Sequence, residues 1–73
     1  METIGQRAAK EIKKRARQNG IATSKEAKKL GITSPILTRW RDNGNPSAYW
    51  LQQMALAGYD VIYILTGVKD NGK

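Results

Sequence analysis

Ile4, Ala8, Ile12 and Ala16 recur at every fourth position near the start of the chain. That spacing draws one apolar stripe along a helix and predicts α-helix from about Thr3 to Gln18. Arg7, Lys10, Lys13, Lys14 and Arg17 cover the other faces, and Asn19-Gly20 ends the run, with Gly20 suited to a left-handed cap. A second helix opens at Thr23, where Glu26 three residues on completes the pattern of a capping box. Thr33, Ser34 and Pro35 open a third, with Ser34 as N-cap and Pro35 at the first helical position, or with Thr33 as the cap. It ends near Asp42 or Asn43, and Asn43-Gly44-Asn45-Pro46 is a loop of turn formers. Ser47 caps a fourth helix, about Ala48 to Ala57, given apolar bulk by Trp50, Leu51, Met54 and Leu56 and stopped by Gly58. Asp60 caps a short fifth, Val61 to Thr66, stopped by Gly67. The β-branched and aromatic run 61–65 also suits a strand, but no second strand signal exists to pair with it. The expected fold class is all-α: a compact five-helix domain over residues 1–67, then a polar, fraying tail over 68–73.

Residues 23 to 40, TSKEAKKLGITSPILTRW, carry the most information. Ala27 precedes Gly31 by four residues; Ile32 follows at once, Leu37 five later and Trp40 three after that. A small residue at 27 lets two helices approach, and a glycine at 31 suits a corner that needs φ > 0. Ile32, Leu37 and Trp40 then point into the angle between the helices and a third behind them. This is the spacing of a helix-turn-helix, whose second helix lies in a DNA major groove.

Composition narrows the chemistry. The 73 residues make one small domain, with a core of about a dozen large side chains. No histidine or cysteine is present, which removes the commonest general base, the commonest metal ligands and disulfides. Glu2, Glu11, Glu26, Asp42, Asp60 and Asp70 are scattered, and no phosphate-binding loop or metal spacing appears. An enzyme, a cofactor and a small-molecule ligand are therefore not expected. No apolar run spans a membrane or reads as a signal peptide, so a cytoplasmic location is expected. The basic first helix also fits a membrane-surface segment, although its stripe is thin and lacks aromatics. The net charge of +7 is unevenly placed: residues 1–20 hold six Lys/Arg against two Glu, residues 21–46 five against two acids, and residues 47–73 two against two. An excess over the motif and the helix before it favours a polyanion.

The pattern resembles the lambda-repressor/Cro-type helix-turn-helix family over about residues 4 to 67. The likeness rests on Ala27, Gly31 and Ile32, on Leu37, Thr38, Arg39 and Trp40, and on Gly44 and Pro46. The segment PSAYWLQQMALAGYDVIYILTG resembles the closing helices of short phage and prophage regulators, where Gly-x-Asp-x-x-Tyr-x-Leu-Thr-Gly is common; here it is Gly58, Asp60, Tyr63, Leu65, Thr66 and Gly67. Two departures stand out. Glu26 occupies a position that is usually apolar, and Arg41-Asp42-Asn43-Gly44 after Trp40 is one residue longer than the family's usual Trp-Glu-x-Gly. The resemblance implies a sequence-specific, Cro-like transcriptional regulator of double-stranded DNA, in bacterial or phage-infected host cytoplasm, and without the sensing domain of larger repressors.

In that geometry Ser34, Pro35, Thr38 and Arg39 are the candidates for base contact. Arg39 can bond guanine O6 and N7 together, or a phosphate; Ser34 and Pro35 serve close approach, or helix capping alone. Phosphate-contact candidates are Thr23, Ser24 and Lys25 at the start of the second helix, Arg41, Asn43 and Asn45 in the following loop, and Lys10 and Lys14 on the first helix. Lys28 and Lys29 read equally as a solvated face. Trp40, Trp50 and Tyr63 read as core, whereas Tyr49 and Tyr59 fit a surface or an interface. One helix reads too few base pairs to find a single site, so a homodimer on a palindromic operator is expected. Val61, Ile62, Ile64 and Leu65 are its candidate interface, unless they pack under the fourth helix. The rival readings are a protein-binding module, such as an antitoxin or anti-repressor, and an excisionase-like architectural factor.

Overall fold

A computed structural model describes residues 2–68. Five helices follow one another: α1, Ile4–Asn19; α2, Thr23–Lys28; α3, Ser34–Asp42; α4, Ala48–Leu56; α5, Val61–Thr66. Among the described residues there is no strand, and the 61–65 segment is helical. Local signals at both ends explain why. The Asp60 carboxylate accepts the Tyr63 N–H at 3.0 Å, and Gly67 closes the helix in the left-handed conformation with φ 77°. Of the expected tail only Val68 is described; residues 69–73 lie outside the described residues.

The helix starts differ from expectation in two places. The capping box lies on α1 rather than α2: the Gln6 N–H donates to Thr3 Oγ1 at 3.1 Å, and the Thr3 N–H to Gln6 Oε1 at 3.0 Å. At α2 the N-cap is Ala22, without a side-chain bond, and Thr23 is already helical. Glu26 is thereby one position too far along to reach back to the cap, and it turns inward instead. It is 4% exposed, accepts the Asn19 Nδ2–H at 2.9 Å and lies 3.4 Å from the Lys29 ammonium. At α3, Thr33 takes the N-cap position and Ser34 and Pro35 form the first turn, still within the region whose N–H groups lack helical acceptors.

The core forms where the apolar faces meet. It holds Ala8, Ala9 and Ile12 of α1, Ala27 of α2, Ile32 of the turn, Leu37 and Trp40 of α3, Met54 of α4, Tyr59, and Ile64 of α5. Trp50 is half-buried and meets Trp40 edge to face at 6.4 Å, and Tyr63 packs against the same cluster. Tyr49 is exposed, as a surface or interface residue would be, but Tyr59, expected in the same setting, is buried in the core. Leu56, counted with Trp50, Leu51 and Met54 as α4's apolar bulk, is 76% exposed.

Helix α1 organises the rest, packing against α2, α3 and α5. Its polar side chains also cap the ends of three other helices. The Gln6 amide donates to the carbonyls of Arg41 and Asp42 at the end of α3. Arg7 donates through Nε and Nη2 to Ile64 O and Leu65 O near the end of α5, at 2.8 and 3.1 Å. Arg15 donates through Nη1 and Nη2 to Ala57 O and Gly58 O after α4, at 2.6 and 3.1 Å. Each bond satisfies a carbonyl left without a helical donor, and charge-assisted donors suit the negative end of the helix dipole.

Candidate nucleic-acid interface

The corner between α2 and α3 sets the direction in which α3 points. Gly31 has φ 85°, its N–H donates to Lys28 O at 2.9 Å, and the Ile32 N–H reaches back to Ala27 O at 3.0 Å. These bonds satisfy the free carbonyls of α2 and turn the chain sharply in a conformation that favours glycine. Ile32, Leu37 and Trp40 are then buried at 1%, 3% and 2% exposure, locking α3 by its inner side.

The outer side of α3 carries Ser34, Pro35, Thr38, Arg39 and Asp42, all exposed. With Asn43 and Gly44 they line one open groove. The four base-contact candidates therefore lie together on one surface. Ser34 is free of the N-cap role, so its hydroxyl is available to a ligand. Asp42 places one carboxylate at the groove's end.

Gly44, not recognised as a site residue from the sequence, shapes this groove. A Cβ there would lie 2.8 Å from Arg39 Cγ and 3.1 Å from Arg39 O, so the absent side chain leaves room for the Arg39 stem. Asn43 and Gly44 both donate their N–H groups to Arg39 O, at 3.0 and 2.7 Å. Gly5 on α1 holds the other side of the loop: a Cβ there would fall 2.0 Å from Gly44 O and 2.8 Å from Trp40 O. The sequence signal was a glycine inside a helical pattern, which costs about 1 kcal/mol against alanine and so points to a packing reason.

The phosphate-contact candidates divide by position. Ser24 and Lys25 are exposed on α2, Thr23 is half-buried, and Arg41, Asn43 and Asn45 are exposed around the end of α3. Lys10 and Lys14 are not brought into the α3 groove; they share a separate concavity on α1 with Lys13, Arg17 and Gln18. Lys10 hydrogen-bonds Glu2, and that bond lowers the Glu2 pKa and raises that of Lys10. Two other cations of α1, Arg7 and Arg15, are committed to capping carbonyls, and Arg15 also sits 3.8 Å above the Tyr59 ring. The dimer candidates divide as well. Ile62 and Leu65 are exposed, Val61 is half-buried, and Ile64 is fully buried, so Ile64 belongs to the core and not to an interface.

Among the described residues no cluster of acidic side chains is arranged to hold a metal ion, and no helix is long and apolar enough to cross a membrane. No family model, curated protein or solved structure matches the chain.

Proposed function

We propose that the protein is a sequence-specific double-stranded DNA-binding regulator of transcription, with α3 as its recognition helix. The observation that carries this reading is the single exposed groove holding Ser34, Pro35, Thr38 and Arg39 on a helix locked from behind by Leu37 and Trp40. Arg39 supplies a guanidinium for guanine O6 and N7; Thr38 and Pro35 supply methyl-sized contacts for thymine. Ser24, Lys25, Arg41, Asn43 and Asn45 set register and affinity on the phosphates. The charge of +7, concentrated before residue 47, supports a polyanionic partner. The protein acts as a homodimer, with Ile62 and Leu65 of α5 and Leu56 of α4 as the exposed apolar residues available for self-association; these are 61%, 42% and 76% exposed.

Selection from random duplexes at about physiological salt tests this reading, because non-specific attraction is then screened. A palindromic enriched motif is the expected result. Arg39→Ala should relax preference at one position of that motif, at a cost of about 1–3 kcal/mol. Binding at low salt without enrichment of any sequence would favour an architectural or protein-binding role instead.

A further inference from the structure

The α3 groove holds two charged side chains of opposite sign. Arg39 and Asp42 both line it, and both are exposed. Three positions separate them, so they are about 4.5 Å apart along the helix axis, a little more than the roughly 3.4 Å rise of one base pair. Side chains at i and i+3 can meet on a helix surface. Among the described residues, however, neither of these two has a hydrogen-bond or ion-pair partner for its charge.

The backbone beneath them is tied on both sides. Asn43 and Gly44 donate their N–H groups to Arg39 O at 3.0 and 2.7 Å. The Gln6 amide donates to Arg41 O at 3.1 Å and to Asp42 O at 3.3 Å, while its own oxygen accepts the Thr3 N–H at 3.0 Å. The end of α3 is thus bound to the start of α1, and both charged side chains leave a fixed backbone.

Stability gives no reason for the charge of Asp42. It is the last residue of α3, where the negative end of the helix dipole disfavours a carboxylate. Among the described residues no cation pairs with it, and it sits on the surface that α3 offers to a polyanion. A residue that breaks a local rule without a compensating contact is expected at a functional site. Facing DNA, a carboxylate is repelled by phosphates and by acceptors on the base edges. Two base donors project into the major groove, adenine N6 and cytosine N4. Adenine sets its N7 acceptor beside N6, whereas cytosine presents a donor alone.

We propose that Asp42 is a specificity-determining residue, whose carboxylate accepts a hydrogen bond from the N4 amino group of a cytosine. That cytosine lies in the base pair next to the one whose guanine Arg39 bonds. The inference rests on the reading of α3 as the recognition helix.

Selection from random duplexes, run with the full chain as wild type, Asp42→Ala, Asp42→Asn and Arg39→Ala, tests it. The wild-type motif should carry a cytosine beside the guanine whose preference Arg39→Ala relaxes. Asp42→Ala should cut the cytosine preference by about fivefold or more, at that position alone. Asp42→Asn should turn the preference there to adenine, because an amide bonds adenine N6 and N7 together. Thermal melts accompany each variant, and the asparagine keeps the shape of the side chain if the alanine variant fails to fold. An unchanged motif with higher affinity for every sequence would overturn the proposal, since Asp42 would then only repel the backbone. A change at the guanine position instead would also overturn it, by making Asp42 a partner that positions Arg39. Absence of any motif, or a motif indifferent to Arg39→Ala, would remove the reading of α3 and this proposal together. A motif that depends on Arg39 and ignores Asp42 would remove the proposal alone.

Discussion

Tyr59 is the residue whose chemistry is most displaced by the fold. Its hydroxyl is buried with no partner in hydrogen-bond geometry. Burial raises its pKa from 10.0 to about 12, against the opposing pull of the Arg15 guanidinium and with help from the nearby Glu26 and Glu11 carboxylates. Because the folded value lies above the unfolded one, the neutral phenol is the form the fold favours. Its contribution to stability is whole below about pH 10 and disappears as pH rises through about 12. Tyr59→Phe removes both the unpaired hydroxyl and this titration. It should stabilise the protein by about 1 kcal/mol at neutral pH and by more above pH 10. Denaturant melts of both proteins at pH 7 and pH 11 check this, and a Phe variant less stable at both would show that the hydroxyl is bonded in solution. Glu26 gives a similar lesson at this scale. Thr23 and Glu26 match a capping box, yet the chain places Glu26 against Asn19 in the interior. The same pattern fits two environments, and only the position of α1 relative to α2 selects between them.

At the scale of elements, the most sensitive contact lies where α1 meets the loop that follows α3. In an open helix, Gly→Ala adds stability by about 0.5–1 kcal/mol. At Gly5 the sign should reverse, with a loss of about 1–3 kcal/mol, because the added Cβ meets the carbonyls of Gly44 and Trp40. Amide NMR of Gly5→Ala should show its largest shifts near residues 40–46, beside the recognition groove. Gly20→Ala is the contrast. Nothing lies within 4 Å of its Cβ, so only the left-handed backbone is penalised, by about 1–2 kcal/mol, and the loop is undisturbed. Stabilisation by Gly5→Ala would mean that the close approach does not persist in solution. The existence and order of all five helices were legible in advance, because caps and stop signals are local. The helix ends capped by Gln6, Arg7 and Arg15 were not, since these bonds join residues 35 to 58 positions apart.

The whole molecule carries a net charge of +7, concentrated before residue 47, and that excess should make DNA binding strongly dependent on salt. The slope of log affinity against log salt is roughly −0.9 per phosphate engaged. Arg41→Ala should make that slope shallower by about one unit while leaving sequence preference unchanged. Titrations of wild type and variant across salt concentrations measure it, and a nearly flat response in the wild type would remove the polyanion reading altogether. By itself the sequence determined the all-helical class, the glycine corner at Gly31 and the four exposed positions of α3, because each depends on local propensity or on helical spacing. Tertiary structure alone decided that Ile64 belongs to the core, that Leu56 does not, that Gly5 and Gly44 shape the groove, and that the Arg7 and Arg15 side chains are structural. Those outcomes depend on which helix faces which, and helical periodicity fixes the faces of an element but not its neighbours.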